Sequence, residues 1–240
     1  VTAGTAAILA GGAGRRLGGM AKDAIPVEGQ PAGPRLVRLL LPHFAEVLVV
    51  TREPGLYAGL PAQTLCDLEP GFGPLSGLHA ALEASSSDWL WLAACDMPAF
   101  DPRLLDLLSG RLDSALAAAG GAAALPGATP LACLARHGDH FEPFQALYSR
   151  ALLPRLGSLF RAAKAAAATG AGNPPRSITQ PSFKELFAGL PVEFVSETRV
   201  RDISPDWSLF FNINTPTDLE ALSSTPIARD EGRPVPSPLR

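Results

Sequence analysis

Three short apolar runs punctuate the first hundred positions: 5–9 (Thr-Ala-Ala-Ile-Leu), 46–51 (Glu-Val-Leu-Val-Val-Thr) and 89–95 (Trp-Leu-Trp-Leu-Ala-Ala-Cys). Each is continuous rather than alternating. Strands buried on both faces read this way, which points to a parallel sheet. Between them the pattern switches to helical spacing. Leu36, Leu39 and Leu40 follow Pro34, and Pro74 opens a run with Leu75, Leu78 and Leu82 on one face. Asp101 and Pro102 read as an N-cap and first turn ahead of Leu104, Leu105 and Leu108, with Gly110 as the stop. The order β-α-β-α-β-α predicts an α/β fold with right-handed crossovers.

The second half is less regular. Residues 110–130, rich in Ala and Gly, read as a loop or an excursion. Residues 143–148 form a strand or turn that leads into a helix from Ala151 to Leu159, continued by the Ala run 161–168. Residues 169–180 read as a loop. Ser182 and Glu185 make a capping box before Leu186, Phe187 and the stop Gly189. Val192–Val195 and Leu209–Phe211 are further strand candidates, and Thr215, Pro216 and Asp218 start a last helix through Leu222. One domain over 1–222 is expected, followed by a loose Pro-rich tail over 223–240.

Composition narrows the classes. A net charge of −3 gives no field that favours nucleic acid, and no apolar run reaches membrane-spanning length. Cys66, Cys95 and Cys133 form no CxxC pair and are odd in number, so a reducing, cytoplasmic setting is expected. No basic segment precedes the first apolar run, so no signal peptide is expected, and the chain opens on Val1, so a native start upstream is.

The chemistry begins where the first run ends, at Leu9-Ala10-Gly11-Gly12-Ala13-Gly14-Arg15-Arg16, with Lys22 beyond. Glycines after a strand let backbone N–H groups approach phosphate oxygens, and the basic residues add positive charge for a polyphosphate. The plainer alternative is a glycine-rich turn with solvated basic residues. A Walker loop is excluded, because the Gly14–Gly19 frame continues Met20-Ala21 instead of Lys-Ser/Thr. A dinucleotide fingerprint fails at Leu17, where a third small residue belongs.

Four segments in order carry a specific resemblance: the Leu-Ala-Gly-Gly loop with its Arg and Lys, Asp67–Gly77 (Asp-Leu-Glu-Pro-Gly-Phe-Gly-Pro-Leu-Ser-Gly), Cys95-Asp96-Met97-Pro98, and Phe211–Leu219 (Phe-Asn-Ile-Asn-Thr-Pro-Thr-Asp-Leu). Together they resemble the molybdenum cofactor guanylyltransferases, from about Thr5 to Leu222. The resemblance implies a three-layer α/β/α domain with a mostly parallel mixed sheet of the nucleotide-diphospho-sugar transferase type. It implies transfer of GMP from GTP to the phosphate of molybdopterin, with Mg²⁺ as cofactor and pyrophosphate released. Molybdenum insertion or molybdoenzyme maturation proteins are the implied protein partners.

Residue by residue, the resemblance implies that Leu9, Ala10, Gly11 and Gly12 bind GTP, that Arg16 steadies phosphate charge, and that Lys22 binds the nucleotide and acts in catalysis. Asp96, at a strand end, serves GTP and Mg²⁺. Asp67 contacts ribose or base. Thr51, where the family often has Asn, and Gly73 complete the GTP set. Arg15, Ser76, Gly77, Asn212 and Asn214 fall to substrate, the last two bordering the pterin site or assisting the metal. Each has a plainer reading: Asp96 as a turn, Asp67 as a loop cap, Gly73–Gly77 as a Pro-initiated helix start, Asn212 and Asn214 as capping chemistry. Ala21 replaces an Asp that often precedes the family's Lys.

His43, His79, His137 and His140 have no metal-ligand spacing. Cys95 reads as a small buried filler, and Trp89 and Trp91 as core. Two other readings remain: a cytidylyltransferase of molybdopterin or another small-molecule nucleotidyltransferase, and a non-catalytic nucleotide- or pterin-binding protein. Leu-Ala-Gly-Gly, as against Leu-Ala-Ala-Gly, favours guanine.

Overall fold

A computed structural model of the chain describes residues 4–11, 13–14, 20–69, 71–120, 128–168, 180–215 and 217–220. The three apolar runs form strands β1 (Thr5–Leu9), β6 (Glu46–Val50) and β8 (Trp89–Ala94). Between the first two lie four two-residue strands: β2 (Ala13–Gly14), β3 (Met20–Ala21), β4 (Pro26–Val27) and β5 (Gln30–Pro31). The rest are β7 (Gln63–Leu65), β9 (Ala132–His137), β10 (His140–Ser149) and β11 (Val192–Val195). The helices are α1 (Ala32–Leu40), α2 (Pro74–Ala84), α3 (Pro102–Ala119), α4 (Leu153–Ala168), α5 (Phe183–Phe187) and α6 (Glu197–Arg201).

Seven strands make one sheet in the order β11-β9-β10-β8-β1-β6-β7. The strands β8, β1, β6 and β7 run parallel, β10 runs antiparallel to both its neighbours, and β11 runs parallel to β9. Successive residues of β1 face opposite sides, which divides the core in two. Ala6 and Ile8 pack with Leu36, Val37 and Leu40 of α1 and Leu104, Leu108 and Leu112 of α3. Ala7 and Leu9 pack with Leu75, Leu78 and Leu82 of α2, Leu156 and Phe160 of α4 and Leu186 of α5. The result is the expected three-layer α/β/α arrangement with a mixed, mostly parallel sheet.

Local signals account for most element ends. Asp101 caps α3 by accepting from the Arg103 backbone N–H at 2.9 Å. Ser182 and Glu185 form the capping box of α5, and Gly189 follows it at φ 74°. In the β4–β5 hairpin, Glu28 and Gly29 both have positive φ, 50° and 76°, as a tight type I′ turn requires.

Two expectations are corrected. Gly110 does not end α3, which runs on to Ala119 and closes with the Gly120 N–H on the Leu116 carbonyl. A mid-helix glycine costs about 1 kcal/mol, and burial of Leu112 outweighs it. Leu209–Phe211 is no strand: a 3₁₀ turn spans Ser208–Phe210, set by Trp207 in the left-handed region at φ 63°. The stretch 143–148 is a strand, one of the two readings offered: it lies within the ten-residue β10, whose pairing with β9 shifts register between Glu142 and Leu147. The strands β7 and β9 and the helix α6 were not anticipated. Residues 169–179, Pro216, Leu222 and the tail over 223–240 lie outside the described residues.

Candidate functional site

The parallel strands end together. Leu9 is level with Val50 on one side and Ala94 on the other, and Val50 is level with Leu65. The chain leaves all four strands at one edge, the carboxyl edge where open α/β sheets take ligands. Ala10 donates its N–H to the Val50 carbonyl at 2.9 Å, Cys95 to that of Leu9 at 3.1 Å, and Thr51 to that of Leu65 at 3.0 Å. This register gathers Ala10, Gly11, Thr51, Asp67 and Asp96 at one edge from four distant stretches of sequence. Gly12, Arg15 and Arg16 lie outside the described residues.

Lys22 arrives at this edge from the β3 hairpin strand. Its ammonium donates to Asp96 Oδ2 at 2.5 Å and to Asn214 Oδ1 at 2.9 Å. The Asn214 loop is fixed from two directions. Ile213 donates its N–H to the Asp96 carbonyl at 2.8 Å, and the Asp218 carboxylate accepts from the N–H groups of Asn214 and Thr215 at 2.8 and 2.7 Å. Those backbone donors, Asn214's foremost, hold the Asp218 carboxyl below the usual carboxylate range. Thr215 returns the bond by accepting the Asp218 N–H at 3.2 Å. Asn212 lies in the same segment, partly exposed.

The Lys22 and Asp96 side chains are 24% and 16% exposed, so the pair is open enough for a ligand to reach. Two hard oxygens, Asp96 Oδ2 and Asn214 Oδ1, converge on a cation. That donor set fits Mg²⁺, which takes one or two carboxylates and fills its shell with phosphate and water. Among the described residues no group of three or more His, Cys, Asp or Glu side chains forms an all-protein metal cage.

The Asp67 loop closes on itself. The Ser76 hydroxyl lies between Asp67 Oδ1 and the Glu69 carbonyl, its one proton shared between the two acceptors, and the Glu69 N–H also reaches Asp67 Oδ1, at 3.2 Å. Gly73 caps α2 at φ 69°, ψ −149°, a conformation open to glycine almost alone, and Pro74 takes the first turn. Pro74 brings no N–H, and the Ser76 N–H is taken by the Gly73 carbonyl at 3.2 Å, so the helix start beside the Asp67 loop is largely satisfied from within. Gly77 is buried one turn further on, where a Cβ would stand 2.8 Å from Leu9 Cδ2. It is the position that lets α2 lie close against β1.

Thr51 is buried, and its hydroxyl is engaged: it donates to Asp23 Oδ2 at 3.2 Å and accepts the Glu53 N–H at 3.0 Å. Tyr57 donates to the same Asp23 oxygen at 3.0 Å. Sequence reading missed Asp23 and Tyr57. No periodicity joins residues 34 apart, and the one available signal was an acidic residue directly after Lys22. It also missed Arg35, which grips Glu28 at 2.8 Å and donates to the Pro98 carbonyl at 2.7 Å, tying the β4–β5 hairpin to the Asp96 loop. Cys95 is buried, and burial, with the charges of Asp96 and Asp23, pushes its thiol far up despite Lys22. It is a packing residue, as its place in the strand suggested.

The MobA-like NTP transferase domain matches residues 6–174, from β1 past α4. The chain belongs to the MobA-like NTP transferase family. A molybdenum cofactor guanylyltransferase of Syntrophotalea carbinolica is 32% identical over 90% of this chain and 89% of that protein. The solved structure of molybdopterin-guanine dinucleotide biosynthesis protein A from Archaeoglobus fulgidus superposes with a TM-score of 0.68. It is 26% identical and covers 92% of this chain and 97% of its own. A 2-C-methyl-D-erythritol 4-phosphate cytidylyltransferase from Thermus thermophilus shares the fold, with a TM-score of 0.51 and 18% identity over 92% of this chain and 98% of its own. The MobA-like domain match takes in Lys22, Thr51, Asp67 and Asp96 but stops before Asn212 and Asn214, which fall within the longer similarity to the whole-length relatives.

Proposed function

We propose that this member of the MobA-like family transfers GMP from GTP to the terminal phosphate of molybdopterin and releases pyrophosphate. The observation that carries the reading is the Lys22 ammonium held between Asp96 and Asn214 at the carboxyl edge of the sheet. The names of the relatives, molybdenum cofactor guanylyltransferases at about 30% identity over most of their length, supply the nucleotide and the acceptor.

The chemistry needs little from the protein beyond placement and charge. A phosphate oxygen of the acceptor forms a bond to the α-phosphorus of GTP as the bond to the bridging oxygen breaks and pyrophosphate leaves. The nucleophile is already an anion, so no general base is required, and positioning with charge stabilisation carries the rate. Lys22, with Arg16, meets the charge that moves toward the leaving group. Leu9 to Gly12, Asp67 and Gly73 receive GTP, with Thr51 lining that edge while its hydroxyl stays on Asp23; Arg15, Asn212 and Asn214 serve the substrates, and the buried Ser76 and Gly77 shape the loop beside them. Asp96 would hold Mg²⁺, which when bound neutralises phosphate charge.

We assign the reaction to the cytoplasm, where the free thiols of Cys66, Cys95 and Cys133 would stay reduced. Among the described residues no helix is long and apolar enough to cross a membrane. Molybdenum insertion or molybdoenzyme maturation proteins would be this protein's partners. The test is pyrophosphate release from GTP, set against CTP, in the presence of Mg²⁺ and molybdopterin.

A further inference from the structure

Asp23 is buried, 1% exposed, immediately after the lysine that reaches the site. The two neighbouring side chains part: Lys22 goes to Asp96 and Asn214, Asp23 to Thr51 and Tyr57. Both hydroxyls donate to one oxygen, Oδ2. The other, Oδ1, is buried without a hydrogen-bond partner among the described residues. A carboxylate buried against two neutral donors is costly, and an apolar side chain of that size would pack there at less expense.

The surroundings are shaped around this carboxylate. A Cβ at Gly33 would overlap Tyr57 Oη and stand 2.9 Å from Asp23 Cβ, so only glycine leaves both side chains where they are. Thr51 directly follows β6, whose last carbonyl, that of Val50, accepts the Ala10 N–H, and Tyr57 closes the 3₁₀ turn Pro54–Tyr57 that comes next. Asp23 thus pins the turn Lys22–Ala24 to the strand end at the nucleotide side. Arg35 braces the following hairpin against Pro98.

We propose that Asp23 is a positioning residue for Lys22: its carboxylate, held by Thr51 and Tyr57, fixes the turn from which Lys22 reaches Asp96 and the phosphates. The inference rests on the nucleotidyl-transfer reading for what Lys22 acts upon, but not for the placement itself. A lysine ammonium is a point charge on a flexible four-carbon stem, so its aim depends on where its backbone is held.

The test is a double-mutant cycle. Asp23→Asn and Tyr57→Phe are each made in the wild-type and the Lys22→Ala backgrounds, and kcat and KM for GTP are measured with molybdopterin and Mg²⁺. Asp23→Asn should lower kcat/KM on the order of tenfold in the wild-type background, with Tyr57→Phe smaller in the same direction. Both effects should vanish once Lys22 is Ala, because nothing is left to aim. Equal losses in the two backgrounds, or no loss from either variant, overturn the proposal. Should Asp23→Asn fail to fold, Tyr57→Phe decides the cycle alone. The ¹³Cε signal of Lys22, assigned by its loss in Lys22→Ala, reads placement without turnover. It should shift in Asp23→Asn and Tyr57→Phe, and an unmoved signal in both overturns the proposal. A wild type that releases no pyrophosphate defeats the functional reading, and the Lys22 signal then decides the role of Asp23 separately.

Discussion

The Lys22 ammonium lies 2.5 Å from Asp96 Oδ2, although the two residues are 74 positions apart in the chain. The ion pair joins the loop after β1 to the end of β8, so the positive and the negative partner of the site arrive on different strands of the sheet. In the ligand-free protein each neutralises the other. Under the proposed function, a Mg²⁺-bound triphosphate would offer Asp96 a cation and Lys22 an anion, so both could change partner without either charge being left bare.

Asp96→Asn keeps the shape of the side chain and removes its charge. We expect it to fold like the wild type and to lose on the order of a hundredfold or more of the turnover number. Circular dichroism and the rate of pyrophosphate release check the two halves of the statement. A wild-type rate across a range of Mg²⁺ concentrations would remove Asp96 from the site.

Lys22 should act on phosphate in both the ground and the transition state. Lys22→Ala should weaken GTP binding and lower the saturated rate, together by about 1.5–3 kcal/mol, roughly ten- to a hundredfold. Lys22→Arg should recover part of the binding and less of the rate, since the planar guanidinium cannot occupy the same point between Asp96 and Asn214. Titration calorimetry and kinetics on the same preparations separate the two. Wild-type values for both variants would make Lys22 a solvated side chain.

Much of this arrangement was legible in the sequence. The continuous apolar runs identify β1, β6 and β8 because strands buried on both faces carry no polar alternation. The Ser182–Glu185 box and the Asp101 cap follow from local chemistry alone. Strand β7 escaped because Gln63–Leu65 is only three residues long and none of them is fully buried. The Gly110 stop failed because packing of Leu112 overrides local propensity. In the site, Lys22 and Asp96 stand out beside a glycine loop and at a strand end. Asp23 acts through residues 28 and 34 positions away, contacts that only the folded sheet creates.

Gly77 offers a test of packing at the floor of the site. Gly77→Ala puts a methyl group 2.8 Å from Leu9 Cδ2; the end of that side chain can give, and alanine is the better helix former by about 1 kcal/mol, so the net cost in urea unfolding should be about 0–2 kcal/mol. Combined with Leu9→Ala the penalties should be less than additive, because the smaller side chain admits the methyl. Strict additivity would place the strain elsewhere.

The cysteines should differ sharply in reactivity. Cys66 is exposed, whereas burial lifts the Cys133 thiol to about 12 and the Cys95 thiol further still. Iodoacetamide at about pH 8 should therefore label Cys66 in the folded protein and leave the other two until denaturant is added, because the thiolate is the reactive form. Peptide mass spectrometry reads the sites directly, and early labelling of Cys95 would contradict its buried place behind Asp96.

The most direct test of the central claim is steady-state pyrophosphate release with molybdopterin and Mg²⁺, GTP set against CTP at equal concentration. The account predicts turnover with GTP and a kcat/KM for GTP far above that for CTP, since a site that hydrogen-bonds one base leaves buried groups unpaired against another. Preference for CTP would make the protein a cytidylyltransferase. Tight GTP binding with no pyrophosphate released would contradict the proposed transfer altogether.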